Sequence, residues 1–271
     1  MSAAEEPTTL RDLALVVGRE AADLARSMRR GGVDVAATKS SAVDVVTEAD
    51  RAVEALVRRR LAEGRPDDAV LGEEGDDRAG TSGLRWIVDP IDGTVNYLYG
   101  LPDCAVSLAV ERDGDVVAGV VVGIGTEVEY AAALGHGATR DGAPLRVRPT
   151  PPLAERLVLT GFGYRQDVRV HQAGCVAALL PVVRDIRRLG SCALDLCHVA
   201  EGSADGYVEA GPQPWDHSAG GLVVRESGGR FGILTGSLAL PGWSADNVVV
   251  ATPADGWDSF TDALRAAGFL A

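Results

Sequence analysis

The stretch Trp86-Ile87-Val88-Asp89-Pro90-Ile91-Asp92-Gly93-Thr94-Val95-Asn96 carries the densest chemistry in the chain. An apolar, β-like run delivers Asp89 at its end, and Pro90 forbids simple continuation of the strand because it has no N–H to give. Asp92 follows three residues later, so two carboxylates meet at one turn. That is a hard oxygen site of the kind Mg²⁺ prefers. Gly93 and Thr94 then open a helix or turn, whose unpaired N–H groups can bind a phosphate. A lone Asp-x-x-Asp would first be read as Asp92 capping the next segment. The apolar lead-in, Pro, Gly and Thr make this string more specific than that.

Two other acidic pieces stand far from it in sequence. Leu71-Gly72-Glu73-Glu74-Gly75-Asp76-Asp77 places adjacent glutamates after a short strand, which alone reads as a solvated acidic loop. Gln213-Pro214-Trp215-Asp216-His217-Ser218 opens a helix, where Asp216 alone reads as an N-cap or first-turn acid.

The elements that must position these residues follow from periodicity. Leu10, Leu13, Val16, Val17 and Leu24 recur at helix spacing from Thr8 or Thr9 to about Arg30, where Gly31-Gly32 stops the helix. A loop over Val33 to Val46 follows. Thr47 then caps a second helix, with Asp50 three residues on as an Asp variant of the capping box, running to about Glu63. Short strands are expected at Ala69 to Gly72 and Leu84 to Val88. A meander covers Cys104 to Glu111, Val116 to Gly123 and Val128 to Leu134, with Asp113-Gly114 and Asp141-Gly142 as tight turns. Pro149-Thr150-Pro151-Pro152 marks a boundary between an N-terminal half, 1–150, and a C-terminal half, 151–271. In the second half strands at 157–160, 186–189, 206–209, 231–234 and 248–251 alternate with helices at 168–183, 191–201 and 215–227 and a last helix from near Ala254. Helices and sheets therefore alternate as layers.

Composition bounds the function. The chain has 271 residues, 26 basic against 39 acidic, and a formal charge of −13. Such a balance argues against a nucleic-acid surface, which needs clustered Lys and Arg. The basic clusters, Arg58-Arg59-Arg60 and Arg184 to Arg188, are small, and the first sits late in a helical pattern where cations favour the C-terminal end. The longest run without a charged residue, Phe231 to Ala245, has 15 residues with Pro241 and three glycines, too short and broken for a membrane span. With no basic-then-apolar N-terminal pattern, the expected location is the cytosol. Cys104, Cys175, Cys192 and Cys197 have no C-x-x-C spacing and are expected to be reduced, buried thiols.

Taken together, GEE at Gly72 to Glu74, DPIDGTVN at Asp89 to Asn96 and PWDHSAGG at Pro214 to Gly221 resemble the inositol monophosphatase family, within the lithium-sensitive, metal-dependent phosphatase superfamily. The resemblance covers nearly the whole chain. Lys39-Ser40-Ser41 with Asp44 and Asp50 fits it too, as does Arg188 to Leu196 with Glu209, which looks more like the inositol-phosphate branch than its bisphosphatase relatives. Gly161-Phe162-Gly163-Tyr164 is similar to bacterial members.

The resemblance implies an α+β fold, a layered α/β/α/β/α sandwich of the inositol monophosphatase and fructose-1,6-bisphosphatase type. It also implies a homodimer, inhibition by lithium, and two to three Mg²⁺ ions per subunit. Glu73, Asp89 and the backbone carbonyl of Ile91 would hold the first ion, and Asp89, Asp92 and Asp216 the second. Glu73 would help a weaker third ion through water. Thr94, paired with Asp50, would orient the attacking water, and the N–H groups of Gly93 and Thr94 would bind the phosphate. Gly190, Ser191 and Cys192 would line the polyol pocket, with Glu209 accepting hydrogen bonds from ring hydroxyls. Cys192 departs from the small Ala often found there, and a buried helix residue is an equal reading of it. His217 is expected beside the site rather than as a metal ligand.

Charge supports this division. Asp50, Glu73, Asp89, Asp92 and Asp216 would bring five negative charges to one place. Two unit charges about 4 Å apart cost about 4 kcal/mol at an effective dielectric near 20. Without cations the cluster would repel itself and a phosphate monoester alike. The expected activity is a Mg²⁺-dependent inositol-1-monophosphatase acting on a small phosphorylated polyol. The alternatives are another phosphomonoesterase, with fructose-1,6-bisphosphate, histidinol phosphate or 3′-phosphoadenosine 5′-phosphate as substrate, and a non-catalytic interaction protein with the same fold.

Overall fold

A first helix, α1 (Pro7–Arg30), buries Leu10, Ala14, Val17, Ala21, Ala22 and Ala25 on one face. Its residues come from a computed structural model that describes positions 6–32, 35–38, 45–244 and 247–271. Glu6, not Thr8 or Thr9, is the N-cap, with Pro7 in the first turn where its missing N–H costs nothing. Where the sequence reads as a loop from Val33 to Val46, two short strands pair antiparallel, β1 (Val35–Thr38) and β2 (Val45–Thr47). Two of the four residues of β1 are alanine, which disfavours a strand, and β2 runs straight into the Thr47 cap of the next helix. Lys39, Ser40, Ser41 and Asp44 lie outside the described residues.

Helix α2 (Glu48–Gly64) begins with the expected capping box. The Thr47 hydroxyl accepts from the N–H of Ala49 and of Asp50, while Asp50 accepts from the Thr47 N–H at 2.8 Å. Arg58 and Arg60 do not serve its C-terminus, because the helix runs on to Gly64 with no basic residue in the last turn. They pair instead with Glu54 and with Glu20 and Glu63.

Then come β3 (Ala69–Gly72), β4 (Leu84–Asp92), α3 (Thr94–Tyr99), β5 (Ala105–Arg112), β6 (Asp115–Gly123), β7 (Glu129–Ala133), β8 (Ala138–Arg140) and β9 (Ala143–Pro144). The seven strands form one sheet in sequence order, parallel only at β3/β4. The two Asp-Gly pairs make two-residue hairpins with both residues at positive φ: 53° and 88° at Asp113-Gly114, 50° and 78° at Asp141-Gly142. That mirror-image turn matches the twist of the flanking strands. β4 does continue past Pro90, but only through an irregularity: Asp89 opposes Ser107 and Asp92 opposes Ala105.

The second half supplies β10 (Leu157–Thr160), α4 (Gln166–Leu179), β11 (Asp185–Arg187), α5 (Cys192–Glu201), β12 (Gly206–Ala210), α6 (Pro214–Glu226), β13 (Gly229–Leu234), β14 (Val248–Pro253) and α7 (Trp257–Ala266). The helix expected over 168–183 ends at Leu179, since Pro181 cannot donate to the next turn, and a 3₁₀ turn follows at Leu180–Val182. The strand expected at 186–189 is Asp185–Arg187, and a 3₁₀ turn, Ala254–Gly256, precedes α7. The five strands order β11-β10-β12-β14-β13, with parallel pairs first and antiparallel pairs after.

Three packed cores set five layers. Residues of α1 and α2 cover one face of the large sheet, with Gly18 letting α1 approach Val122 closely. Between the sheets, Leu194, Leu196, Leu222 and Val223 of α5 and α6 meet Ile87, Ala109 and Val121 on one side and Tyr207 and Val249 on the other. Helices α4 and α7 cover the outer face of the small sheet through Cys175, Leu179, Phe260 and Leu264. The architecture is an α/β/α/β/α sandwich. All four cysteines are free and buried. Among the described residues no helix is long and apolar enough to cross a membrane.

Candidate active site

The irregular end of β4 turns Asp89 and Asp92 into a single pit, and the first turn of α6 brings Asp216 to it. Carboxylate oxygens of Asp89, Asp92 and Asp216 all lie within 4.8 Å of one another. Asp89 and Asp92 are buried and Asp216 half-buried. Glu73, at the end of β3, is outside that trio but within hydrogen-bonding reach of Asp89. Its own N–H donates to the Val88 carbonyl at 3.2 Å, which ties the end of β3 to the strand that carries Asp89.

Each carboxylate is held by its element. Asp89 accepts from the Ile91 N–H at 3.0 Å. Asp92 accepts from the Ser191 hydroxyl at 2.5 Å and the Ala193 N–H at 2.7 Å, both at the N-terminus of α5. Asp216 accepts from the Gln213 N–H at 2.5 Å as the third residue of α6. The first-turn reading of Asp216 is therefore true, and the same side chain also faces the pit. Thr94 stands 3.1 Å from Asp50 Oδ1 and 3.1 Å from the Ile91 carbonyl, two acceptors for its single hydroxyl proton.

Burial and mutual repulsion shape the electrostatics. Burial, then the charges of Glu73, Asp92 and Asp216, pushes the Asp89 carboxyl well above its usual range. Asp216 is pushed up in the same way by burial, Asp92 and Glu73. Burial raises Asp92 to about 6 although Ser191 and Ala193 donate to it. Asp50 and Glu209 are raised by burial as well. Such a cluster ionises fully only beside positive charge, and its all-oxygen donors suit a hard divalent cation. The residues thus fit a Mg²⁺-type ion.

A cavity of about 410 Å³ opens above the pit. Glu73, Asp89, Ile91, Asp92, Gly93, Thr94, Gly190, Cys192, Glu209 and Asp216 line it. Ser191 does not: it is 1% exposed, caps α5 and holds Asp92. Asp50 is also set back, behind Thr94. Gly93 must be glycine, since at φ 87° a Cβ would stand 2.8 Å from the Asp103 carbonyl. Asn96 fastens this turn by donating to the carbonyls of Asp103 and Leu189, both at 2.7 Å. Glu209 accepts from the Tyr207 hydroxyl at 2.6 Å. His217 points away, buried against Phe231, and burial lowers it to about 4, so it is neutral near pH 7.

Several lining residues carried no role in the sequence reading: Arg165, Arg188, Gln213, Trp215 and Trp243, with Phe162 and Tyr164 from the Gly161 to Tyr164 run. Arg188 had a signal, as the last member of a basic cluster. Trp243 had none, because it lies in an irregular Pro-Gly segment.

A profile of the inositol monophosphatase family matches residues 6–267. The chain belongs to the inositol monophosphatase family. It is 40% identical over 269 residues to the inositol-1-monophosphatase of Mycobacterium bovis, covering 93% of this chain and 91% of that one. The solved structure of Mycobacterium tuberculosis SuhB superposes with a TM-score of 0.84 at 39% identity, over 98% of this chain and 100% of that one. A protein named Nus factor SuhB from Xylella fastidiosa is 40% identical over 192 residues, 70% of each chain. Within the family, the cavity and its acidic floor sit on a fold that solved relatives share.

Proposed function

We propose that this chain is a Mg²⁺-dependent phosphomonoesterase that hydrolyses an inositol monophosphate to inositol and orthophosphate. The observation that carries the reading is the trio Asp89, Asp92 and Asp216, with oxygens within 4.8 Å at the floor of a 410 Å³ cavity, in a chain of this family. In this reading Glu73, Asp89 and the Ile91 carbonyl would hold one Mg²⁺, Asp89, Asp92 and Asp216 would hold a second, and Glu73 would assist a more weakly held third through water. Bound Mg²⁺ supplies Lewis-acid polarisation of the phosphoryl oxygens and makes hydroxide accessible near neutral pH.

The chain's own groups do the positioning. With its proton given to Asp50, the Thr94 oxygen is left as an acceptor and orients a water that donates to it. The N–H groups of Gly93 and Thr94 face the phosphate. Glu209, already held by Tyr207, accepts from a polyol hydroxyl, and Gly190 and Cys192 shape that side of the pocket. No covalent nucleophile is needed; burial raises Cys104 to about 11 and pushes the Cys192 thiol well above its usual range, so neither is a thiolate near pH 7. Residues 1–150 and 151–271 act as one unit in this reading, the first contributing most metal ligands and the second the polyol pocket and Asp216. The assembly is a homodimer, and lithium competes at the second Mg²⁺ position.

The test is phosphate release from a panel of esters with and without Mg²⁺ and Li⁺. Inositol 1-phosphate should be turned over best. Far faster release from histidinol phosphate, fructose 1,6-bisphosphate or 3′-phosphoadenosine 5′-phosphate would reassign the substrate. A second reading, a chain that binds a protein partner without turnover, is favoured by the name of the Xylella relative. No release from any ester with ample Mg²⁺ would favour it.

A further inference from the structure

Helix α2 reaches the site twice. Asp50 meets Thr94, and one turn further on Glu54 reaches the loop that carries Glu73. The Glu54 side chain is only 3% exposed. Its Oε2 accepts from the Glu74 N–H at 2.8 Å and its Oε1 from the Gly75 N–H at 2.9 Å. Another turn along α2, Arg58 donates through Nε to Oε1 at 2.7 Å. Arg58 Nη2 is buried and has no hydrogen-bond partner among the described residues, so Glu54 supplies the carboxylate beside that charge.

The two glycines that bracket Glu73-Glu74 make room for this pair. A Cβ on Gly72 would stand 2.5 Å from Glu54 Oε1 and 2.6 Å from Arg58 Nη2. A Cβ on Gly75 would stand 2.8 Å from Glu54 Oε1 and 3.0 Å from Arg58 Nε. Neither position has positive φ, so it is space rather than backbone conformation that requires glycine at both. The Glu73 backbone is thus fixed from two sides, by its N–H on Val88 and by Glu54 on the next two N–H groups.

We propose that Glu54, clamped by Arg58, is a positioning residue that fixes the backbone of the Glu73 loop and so presents the Glu73 carboxylate to the cation. The proposal rests on the metal reading above. A carboxylate that accepts two adjacent N–H groups makes strong, charge-assisted bonds. An amide in its place offers one acceptor oxygen and turns an NH₂ toward the other N–H, which then loses its partner.

The test uses the full chain stripped with EDTA and titrated with Mg²⁺ by calorimetry, well below the melting temperature of each variant. Hydrogen exchange over residues 69–78 is followed in the metal-free protein. Glu54→Gln should weaken Mg²⁺ binding by about 10-fold, the range for residues that orient metal ligands, and remove protection at Glu74 and Gly75. Arg58→Met, which keeps the carboxylate but releases its clamp, should weaken Mg²⁺ by about 3-fold with partial loss of protection. It also serves as the readout should Glu54→Gln not fold. A purely structural role would lower the melting temperature and leave the Mg²⁺ affinity of the folded chain alone. Wild-type affinity and protection in both variants, with binding lost in Asp89→Asn, would overturn the positioning role and leave the metal site standing. A wild-type chain that takes up no Mg²⁺ would remove the metal reading and this proposal with it.

Discussion

Ser191 donates its hydroxyl to Asp92 at 2.5 Å across 99 residues of sequence. The same oxygen accepts from the Leu194 N–H at 3.2 Å as the N-cap of α5. One side chain therefore starts a helix of the second half and fixes an acid from the first.

Ser191→Ala removes both bonds. Loss of an N-cap costs about 1 kcal/mol, and an acid left with one donor fewer adds a similar amount. The expected destabilisation is about 2 kcal/mol, read from the midpoint of urea unfolding. Unfolding at the wild-type midpoint would contradict the shared role.

The acidic pit gives the metal-free chain a pH dependence of definite sign. Burial holds Asp92 at about 6 when folded against 3.8 ordinarily. The folded chain therefore binds that proton more tightly than the unfolded chain. Its contribution is fully present below the ordinary carboxylate range and is lost as pH rises through about 6. Asp89 and Asp216, also pushed well up by burial and their acidic neighbours, act in the same direction. In EDTA the melting temperature should fall between about pH 4 and about pH 6, and Mg²⁺ should restore it at the upper end. A flat metal-free profile would count against the close approach of these acids.

Neutralising one of them should help the empty protein and harm the loaded one. Asp89→Asn keeps an oxygen for the Ile91 N–H and removes a buried charge from beside Glu73, Asp92 and Asp216. In EDTA its melting temperature should rise by roughly 2–4 °C, the equivalent of about 1 kcal/mol in a chain of this size, while stabilisation by Mg²⁺ disappears. Calorimetric scans with and without Mg²⁺ check both halves of this expectation.

Trp243 forms a wall of the cavity, packed so close to Gly211 that a Cβ there would stand 2.7 Å from its ring. Trp243→Ala should raise KM for inositol 1-phosphate by about 5-fold, leave kcat within about 2-fold, and improve turnover of bulkier esters. An equal fall in kcat would place the ring nearer the reacting atoms than this account does.

Much of the scaffold was legible because its signals are local. Thr47 with Asp50 is a capping box within four residues, and each Asp-Gly pair specifies its hairpin by itself. The layers followed from the alternation of short apolar runs with helical patterns along the second half. The short β1 and β2 strands were not legible, nor was the end of the fourth helix, where Pro181 outweighs an apolar run. At the site, the sequence named acids that the fold brings together, but not what holds them. The family resemblance put Ser191 in the pocket together with Gly190 and Cys192, which do line the cavity, and only the fold turns it toward Asp92. Trp243 and Arg165 reach the cavity from irregular segments, where no spacing rule points inward.

The most direct measurement is kcat for phosphate release from inositol 1-phosphate by Asp92→Asn beside the wild type at saturating Mg²⁺. Loss of a carboxylate from the cation site should lower it at least ~100-fold with the fold intact. Near-normal turnover in that variant would contradict the assignment of Asp92 to the metal centre.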